Sequence, residues 1–379
     1  MLFALKKPLP KPAKPAMQSQ KAGLALATSG FFRHKASDKA VESNSKEHGM
    51  ESVILYWQQA LAWYAGFIGQ YPFVQNGLDM LGVVLPLAAL LAFPGLVLMA
   101  VTGQLLAVRR KRSFYDKGAK QLALLATLLG WMLTIGGAAW LLYHYAPQHI
   151  AFDAVPLQAM THCVAWLLLA AGAFFASLHY ALWKGLKNSP RLHQFIGLFA
   201  LLSAYLGAYA LMASLVLQSQ LDAGIVIENL QQALVPAENS PLWSAVYYLP
   251  VLVVAMGGGL GSLWFVARRT RDDFGRDHYN TVVPWAACWA RNAWLCLWFI
   301  LLFFTGLEVI TSAQEHDILP QQELINHALR LILWLIPMLL WCIVTRSATP
   351  LRHKCTLLLA QLLAMGFLVP FSLGLSWGY

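Results

Sequence analysis

The chain has 379 residues, of which 58% are hydrophobic and only 12% are charged. Its mean hydropathy is +0.55. Soluble domains carry about 25% charged residues, so this composition excludes an ordinary soluble domain and indicates a multi-pass membrane protein. The net charge of +10 does not indicate nucleic-acid binding, because nine basic and three acidic residues within positions 1–50 supply most of it.

The amino-terminal region divides into a tail and an aromatic segment. Residues 1–50 include the stretch KKPLPKPAKPAMQSQKAG and have no apolar run comparable to a signal peptide. We predict a disordered tail; the alternative is that Met50 is the true start and the mature protein lacks the tail. Residues 51–76 are apolar but contain four glutamines and many Trp and Tyr residues. They predict an amphipathic helix at the membrane interface, with a ninth span as the alternative.

Eight later runs reach the length of about 20 apolar residues that a helix needs to cross the hydrocarbon core. Their continuous hydropathy is typical of helices, since the strands of a membrane barrel would alternate. We therefore expect an all-α integral membrane protein with eight transmembrane helices. The predicted spans are 80–107, 121–144, 158–183, 194–218, 243–267, 283–310, 325–345 and 354–377.

The connections between these spans alternate in charge. Four connections hold sixteen Lys and Arg residues in total, whereas the other three hold none. The positive-inside rule makes the first set cytoplasmic and the second set external. We expect a bacterial-type inner membrane protein whose carboxyl terminus is external. The basic connections are 109–120, 184–193, 268–280 and 346–354, and the others are 145–157, 219–242 and 311–324.

Short motifs recur at a constant offset along the chain. SPRLHQ at 189–194 is followed 160 positions later by TPLRHK at 349–354, and Phe114 and Phe274 follow basic runs at the same offset. The pattern predicts two parallel four-helix repeats, although basic cytoplasmic loops could share such motifs without duplication. This arrangement is similar to that of several quinone-handling membrane subunits, such as the polysulfide-reductase type. The repeats would be 77–220 and 243–379, joined by the external loop 221–242.

Four histidines are candidates for binding a cofactor. In both echoing motifs a Ser or Thr cap followed by Pro begins a helix, which places His193 and His353 at the cytoplasmic boundary. His179 lies near the cytoplasmic end of the third span and His162 near the external end. A b-type haem takes two such axial ligands. The structural interpretation is that these histidines lie at helix ends and bind nothing.

Charged residues within the spans are a second group of candidates, because they are costly in a membrane. Glu308 and Arg330 should lie at similar depth, with His327 one turn away, and form either a structural ion pair or a polar external pocket for a ligand such as a quinol. Arg291 lies about two turns from the cytoplasmic end and is expected to extend toward the interface.

No sequence motif identifies a self-contained enzyme. The stretch AMGGGLGSLW at 255–264 has no phosphate-loop ending and contains a GxxxG spacing, which favours close helix packing. We find no nucleophile with a base, no acidic metal cluster and no CxxCH motif. We expect a membrane subunit of a respiratory complex that handles quinone, with b-type haem a further option, in contact with the lipid bilayer and with redox subunits or cytochromes. The alternatives are a secondary transporter and a non-catalytic scaffold or assembly factor.

Overall fold

The fold was obtained from a computed structural model, and the part of the chain that it describes is all helical, without strands. The predicted tail and residues 51–71 lie outside the described residues. The described ranges are 72–145, 156–227, 229–237, 240–316 and 321–368. The helices are α1 (Pro72–Arg110), α2 (Ser113–Tyr145), α3 (Leu157–Ala181), α4 (Pro190–Asp222), α5 (Leu230–Leu234), α6 (Leu242–Arg268), α7 (Arg276–His316), α8 (Gln321–Arg346) and α9 (Lys354–Gly366), and a 3₁₀ helix (Pro350–His353) precedes α9.

Seven of these helices, α1 to α4 and α6 to α8, are long and apolar enough to cross a membrane. This confirms a multi-pass, all-helical membrane protein. The eighth predicted span begins with α9 and continues past Leu368, outside the described residues. The last five residues of segment 51–76 belong to α1, which runs through position 77 without a break. The predicted loop 221–242 contains the short helix α5, whose first turn is capped by the Asn229 side chain.

Neighbouring helices pack side by side, so the chain runs back and forth through the bundle. Helix α3 packs between α2 and α4, α7 packs between α6 and α8, and α9 returns to contact both α6 and α8. Helices α6, α7, α8 and α9 therefore surround a common interior. We call the end formed by the α1–α2, α3–α4, α6–α7 and α8–α9 connections the basic end, because all sixteen basic residues counted above lie there. The opposite end is called the acidic end.

The glycine-rich stretch lies within α6 and packs closely against its neighbours. A Cβ atom added at Gly257 would lie 2.7 Å from the Cα of Gly95 on α1, and one added at Gly258 would lie 2.5 Å from the backbone nitrogen of Ala290 on α7. Gly259 meets the Gln361 side chain of α9. Because α6 continues unbroken through this stretch, each glycine admits a different neighbouring helix.

The two echoing motifs adopt the same backbone conformation at their first residue. Ser189 has φ −127° and ψ 63°, and Thr349 has φ −129° and ψ 65°. Proline occupies the first helical turn in both, as the sequence predicts. Neither hydroxyl makes a side-chain cap hydrogen bond, however, so the predicted caps are wrong in that respect. The first motif opens directly into α4, whereas the second opens into the 3₁₀ helix before α9.

Candidate functional site

Helices α6, α7 and α8 and the residues after α9 form a half-open cavity of about 660 Å³ near the acidic end. Its walls come from the first half of α6, the second half of α7, the first half of α8 and the residues just after α9. Seven aromatic side chains contribute to this lining. They are Trp243, Tyr247 and Tyr248 from α6, Trp294 and Phe304 from α7, Trp334 from α8, and Phe367.

Two tryptophans form a rigid floor beneath the cavity. The Trp294 ring is fully buried and stacks on Trp334, with ring centroids 5.4 Å apart. Its indole N–H donates a 2.6 Å hydrogen bond to the Trp334 carbonyl oxygen. Proline at position 337 lies within α8 and has no N–H to donate to the carbonyl four residues earlier. That carbonyl is on Leu333. The Trp294 indole bonds the next carbonyl along α8, that of Trp334, and so joins α7 to α8.

One wall of the cavity is charged. Arg330 Nη2 lies 2.9 Å from Glu308 Oε2 and 2.9 Å from Thr305 Oγ1, and 3.2 Å from His327 Nδ1. Residues 305 and 308 are about one turn apart on α7, as are 327 and 330 on α8, so two antiparallel helices present adjoining pairs. The structure therefore brings together three of the predicted intramembrane polar residues, Glu308, Arg330 and His327.

The charged wall has unused hydrogen-bonding capacity. Arg330 Nε is buried and has no hydrogen-bond partner among the described residues. Glu308 is about half exposed, and its contacts with Arg330 and His327 both use Oε2. The formal charges of one guanidinium and one carboxylate cancel in this wall. It can therefore bind an uncharged ligand that offers an acceptor to the arginine and a donor to the carboxylate.

Arg291 lies apart from this wall, at the other end of α7. Its guanidinium donates to Asn292 Oδ1 at 2.8 Å and 3.0 Å, and to Thr345 Oγ1 at 3.2 Å. Thr345 immediately precedes Arg346, the last residue of α8. The Arg291 side chain is therefore directed toward the basic end, as expected for a snorkelling arginine.

His179 and His193 form a buried pair at the basic end. Their rings stack with centroids 4.1 Å apart, and each side chain is only 1% exposed. His193 Nε2 donates to the carbonyl of His179 at 2.7 Å, and His179 Nδ1 donates to the carbonyl of His193 at 3.1 Å. Gln104 of α1 is hydrogen-bonded to His193 Nδ1. The pair thus joins the end of α3, the start of α4 and α1.

This geometry does not fit a haem ligated by both histidines. Stacked rings 4.1 Å apart leave no space for a porphyrin between them, and both ring nitrogens of His193 are engaged. Only His179 Nε2 is without a partner among the described residues. The carbonyl at the end of α3 is one that the helix itself leaves unsatisfied. The pair therefore caps α3 against α4.

The other two histidine candidates lie elsewhere. His162 is at the acidic end of α3, seventeen residues or about 25 Å along the helix from His179. Its Nδ1 donates to the Gln158 carbonyl at 2.8 Å, and its ring lies 4.8 Å from that of Trp140. His353 is partly exposed at the end of the 3₁₀ helix. His193 and His353, the histidines of the two echoing motifs, therefore occupy different environments.

A polar network at the basic end was not predicted from the sequence. Arg268 binds Asp272 through two hydrogen bonds of 2.8 Å and 2.9 Å, and Gln121 Nε2 donates to Asp272 at 2.9 Å. Tyr279 donates to the backbone carbonyl of Asp272. This network fastens α2 to the α6–α7 connection. The sequence feature that could have indicated this network is Gln121, a polar residue within an apolar stretch, whose partner lies 151 residues away.

Asp272 lies between α6 and α7, outside the spans, and its ionisation is shifted. Burial by itself would raise the pKa of its carboxyl group. The hydrogen bonds from Arg268 and Gln121 and the positive charges of Arg268 and Arg271 outweigh burial, so the pKa is lowered below its ordinary value. Asp272 is therefore ionised in the folded protein at neutral pH.

The ring of His278 is enclosed between the two phenylalanines of the 160-residue offset. Phe274 lies 5.1 Å and Phe114 lies 6.1 Å from His278, both edge-on. His278 is fully buried and was not among the predicted candidates. In the described part of the chain, no group of three or more His, Cys, Asp or Glu residues is arranged to hold a metal ion.

No protein family, curated protein or solved structure matches this chain.

Proposed function

We propose that this protein is the membrane subunit of an electron-transfer complex and that it binds the head ring of a quinone in the cavity. The observation that carries the proposal is the combination of aromatic walls with a polar wall on which the Arg330 and Glu308 side chains are both partly exposed. A quinone head is a flat, uncharged ring with carbonyl acceptors. It would stack on the aromatic side chains and accept the hydrogen bond that Arg330 offers.

Access from the bilayer supports a lipid-soluble ligand. Leu329 and Leu333, which flank Arg330 on α8, line the cavity and are both about half exposed. In a membrane such side chains would contact lipid. A prenyl tail could follow this apolar edge while the ring occupies the polar wall.

The electron-transfer partners would supply the redox centres other than quinone. The His179–His193 pair does not fit a haem, so no haem step is assigned to it. We place the protein in a bacterial-type inner membrane, with the basic end cytoplasmic, on the positive-inside rule alone.

We also propose that the eight predicted spans arose as two parallel repeats. Ser189 and Thr349 share their backbone conformation, and Phe114 and Phe274 both contact His278. Gly95 and Gly257, on the first helix of each group of four, meet at the centre of the bundle. Such pairwise correspondence is expected of a duplicated chain.

The packing of α6 favours a fixed binding platform over an alternating-access transporter. A transporter of parallel repeats rocks one half against the other. Here the backbones of Gly95 and Gly257 are in direct contact, and α6 has no unwound segment at mid-length. A scaffold without a ligand remains the alternative, and it requires that the cavity bind nothing.

Photoaffinity labelling tests the proposal directly. The full chain would be reconstituted in lipid nanodiscs and illuminated with an azido-benzoquinone, with and without excess decyl-benzoquinone. Adducts that the competitor suppresses are expected in the peptides that line the cavity, around residues 243–252, 294–308 and 326–334. Adducts only elsewhere would contradict the proposal.

Two arginine variants provide a matched comparison. Arg330→Gln removes the guanidinium from the cavity wall and is expected to weaken decyl-benzoquinone binding about tenfold. Arg291→Gln removes the other intramembrane arginine, which does not line the cavity, and should leave binding unchanged. Equal affinities of both variants and the parent protein would leave the scaffold interpretation in place.

A further inference from the structure

The charged wall also distinguishes the two redox forms of a quinone, and this inference rests on the proposed function. Glu308 and Arg330 occupy the same wall and are bonded to each other at 2.9 Å. An ionised carboxylate is only an acceptor, whereas the arginine N–H is only a donor. The wall therefore offers a ligand one group of each kind.

The oxidised ring can satisfy only half of this arrangement. A quinone carbonyl accepts from Arg330 but has no hydrogen to donate to Glu308, so it displaces water from the carboxylate without replacing the lost hydrogen bond. A hydroquinone hydroxyl can accept from the arginine and also donate to the carboxylate. An acceptor that loses its water without gaining a partner lowers the affinity.

We propose that the cavity is selective for the reduced, dihydroxy form of the ring, with a ligand hydroxyl donating to Glu308. The neighbouring groups are consistent with this assignment. Thr305 and His327 already contact Arg330 Nη2, which holds the guanidinium in place beside the carboxylate. Tyr248 lines the same cavity from the facing helix α6.

The test is a pair of dissociation constants. Decyl-benzoquinone and decyl-hydroquinone would be titrated separately into the full chain in nanodiscs by calorimetry, the latter under anaerobic conditions. The hydroquinone is expected to bind about fivefold tighter or more. Glu308 is partly exposed, so the discrimination should be smaller than in a fully enclosed site.

The variant Glu308→Gln should remove the preference. A glutamine amide both donates and accepts, so it can hydrogen-bond the carbonyl as well as the hydroxyl, and the ratio of the two constants should fall below about two. Asp222→Asn is the matched control, because it removes one carboxylate at the same end of the bundle without changing the cavity lining. It should retain the parent ratio.

The possible outcomes separate the two proposals. Equal binding of both forms by the parent protein overturns the selectivity and leaves quinone binding intact. Retention of the parent ratio in a correctly folded Glu308→Gln variant overturns the role of Glu308. If the parent protein binds neither form, the proposed function fails and the selectivity fails with it.

Discussion

The crossing of α1 and α6 gives a quantitative prediction for Gly257→Ala. The new Cβ would lie 2.6–2.9 Å from backbone atoms of Gly95 and Leu96, whereas ordinary contact begins at 3.4 Å. The two backbones must therefore separate by about 0.7 Å near the centre of the bundle, since backbone atoms cannot rotate away as side chains do. Such overpacking costs about 1–3 kcal/mol.

The assay is thermal unfolding of the detergent-solubilised chain, followed by fluorescence-detected size exclusion. For a chain of this size the expected cost lowers the Tm by about 1–4 °C. Gly136→Ala and Gly306→Ala are matched controls, because nothing lies within 4 Å of a Cβ added at either helical position. They should be neutral or stabilising by up to about 1 kcal/mol. A Gly257→Ala protein that melts with the controls would refute the close crossing.

Three further predictions concern the polar residues. The pKa of Asp272 is lowered in the folded state, so the stability that its carboxylate contributes should be complete above about pH 4, its unfolded pKa, and should be lost as the pH falls further. Asp272→Asn should therefore flatten that part of the Tm–pH curve. An unchanged curve would count against the arginine pairing. His193→Phe should lower the Tm by an amount that corresponds to about 1–3 kcal/mol. The purified parent protein should have no b-type haem absorbance from the His179–His193 pair. A haem band that is present in the parent and lost in the variant would contradict the capping role. The Glu308→Arg/Arg330→Glu double variant should regain the Tm lost by either single reversal, and failure to regain it would contradict direct pairing.

Features that depend on the geometry of one helix, or of two consecutive helices, could be predicted from the sequence. Length and hydropathy located the spans, and the glycine run at 257–259 predicted close packing. The juxtaposition of Glu308 and Arg330 followed from the opposite directions of α7 and α8 together with residue depth. In each case the relevant geometry is the rise and direction of a single helix, or of two consecutive ones.

Features that depend on the lateral order of helices could not be predicted in this way. Gln121 and Asp272 meet only because α2 packs beside the α6–α7 connection, which no hydropathy pattern specifies. Trp294 and Trp341 are likewise fully buried within the bundle, which their positions in apolar runs do not specify. Composition identifies an aromatic residue, but only packing decides whether it faces lipid or a neighbouring helix.

The cavity itself follows from a difference between the two groups of four helices. Where α3 meets α4, small residues interlock: a Cβ added at Gly172 would lie 2.9 Å from the backbone of Ala204. Where α7 meets α8, Trp294 and Trp334 stack instead. A stacked pair of indoles occupies more space between two helices than glycine and alanine do, and the cavity lies next to this pair. At the 160-residue offset Trp294 and Trp334 correspond to Thr134 of α2 and Phe174 of α3, so, if the repeats share an ancestor, the second copy has a stacked indole pair where the first has a threonine and a phenylalanine.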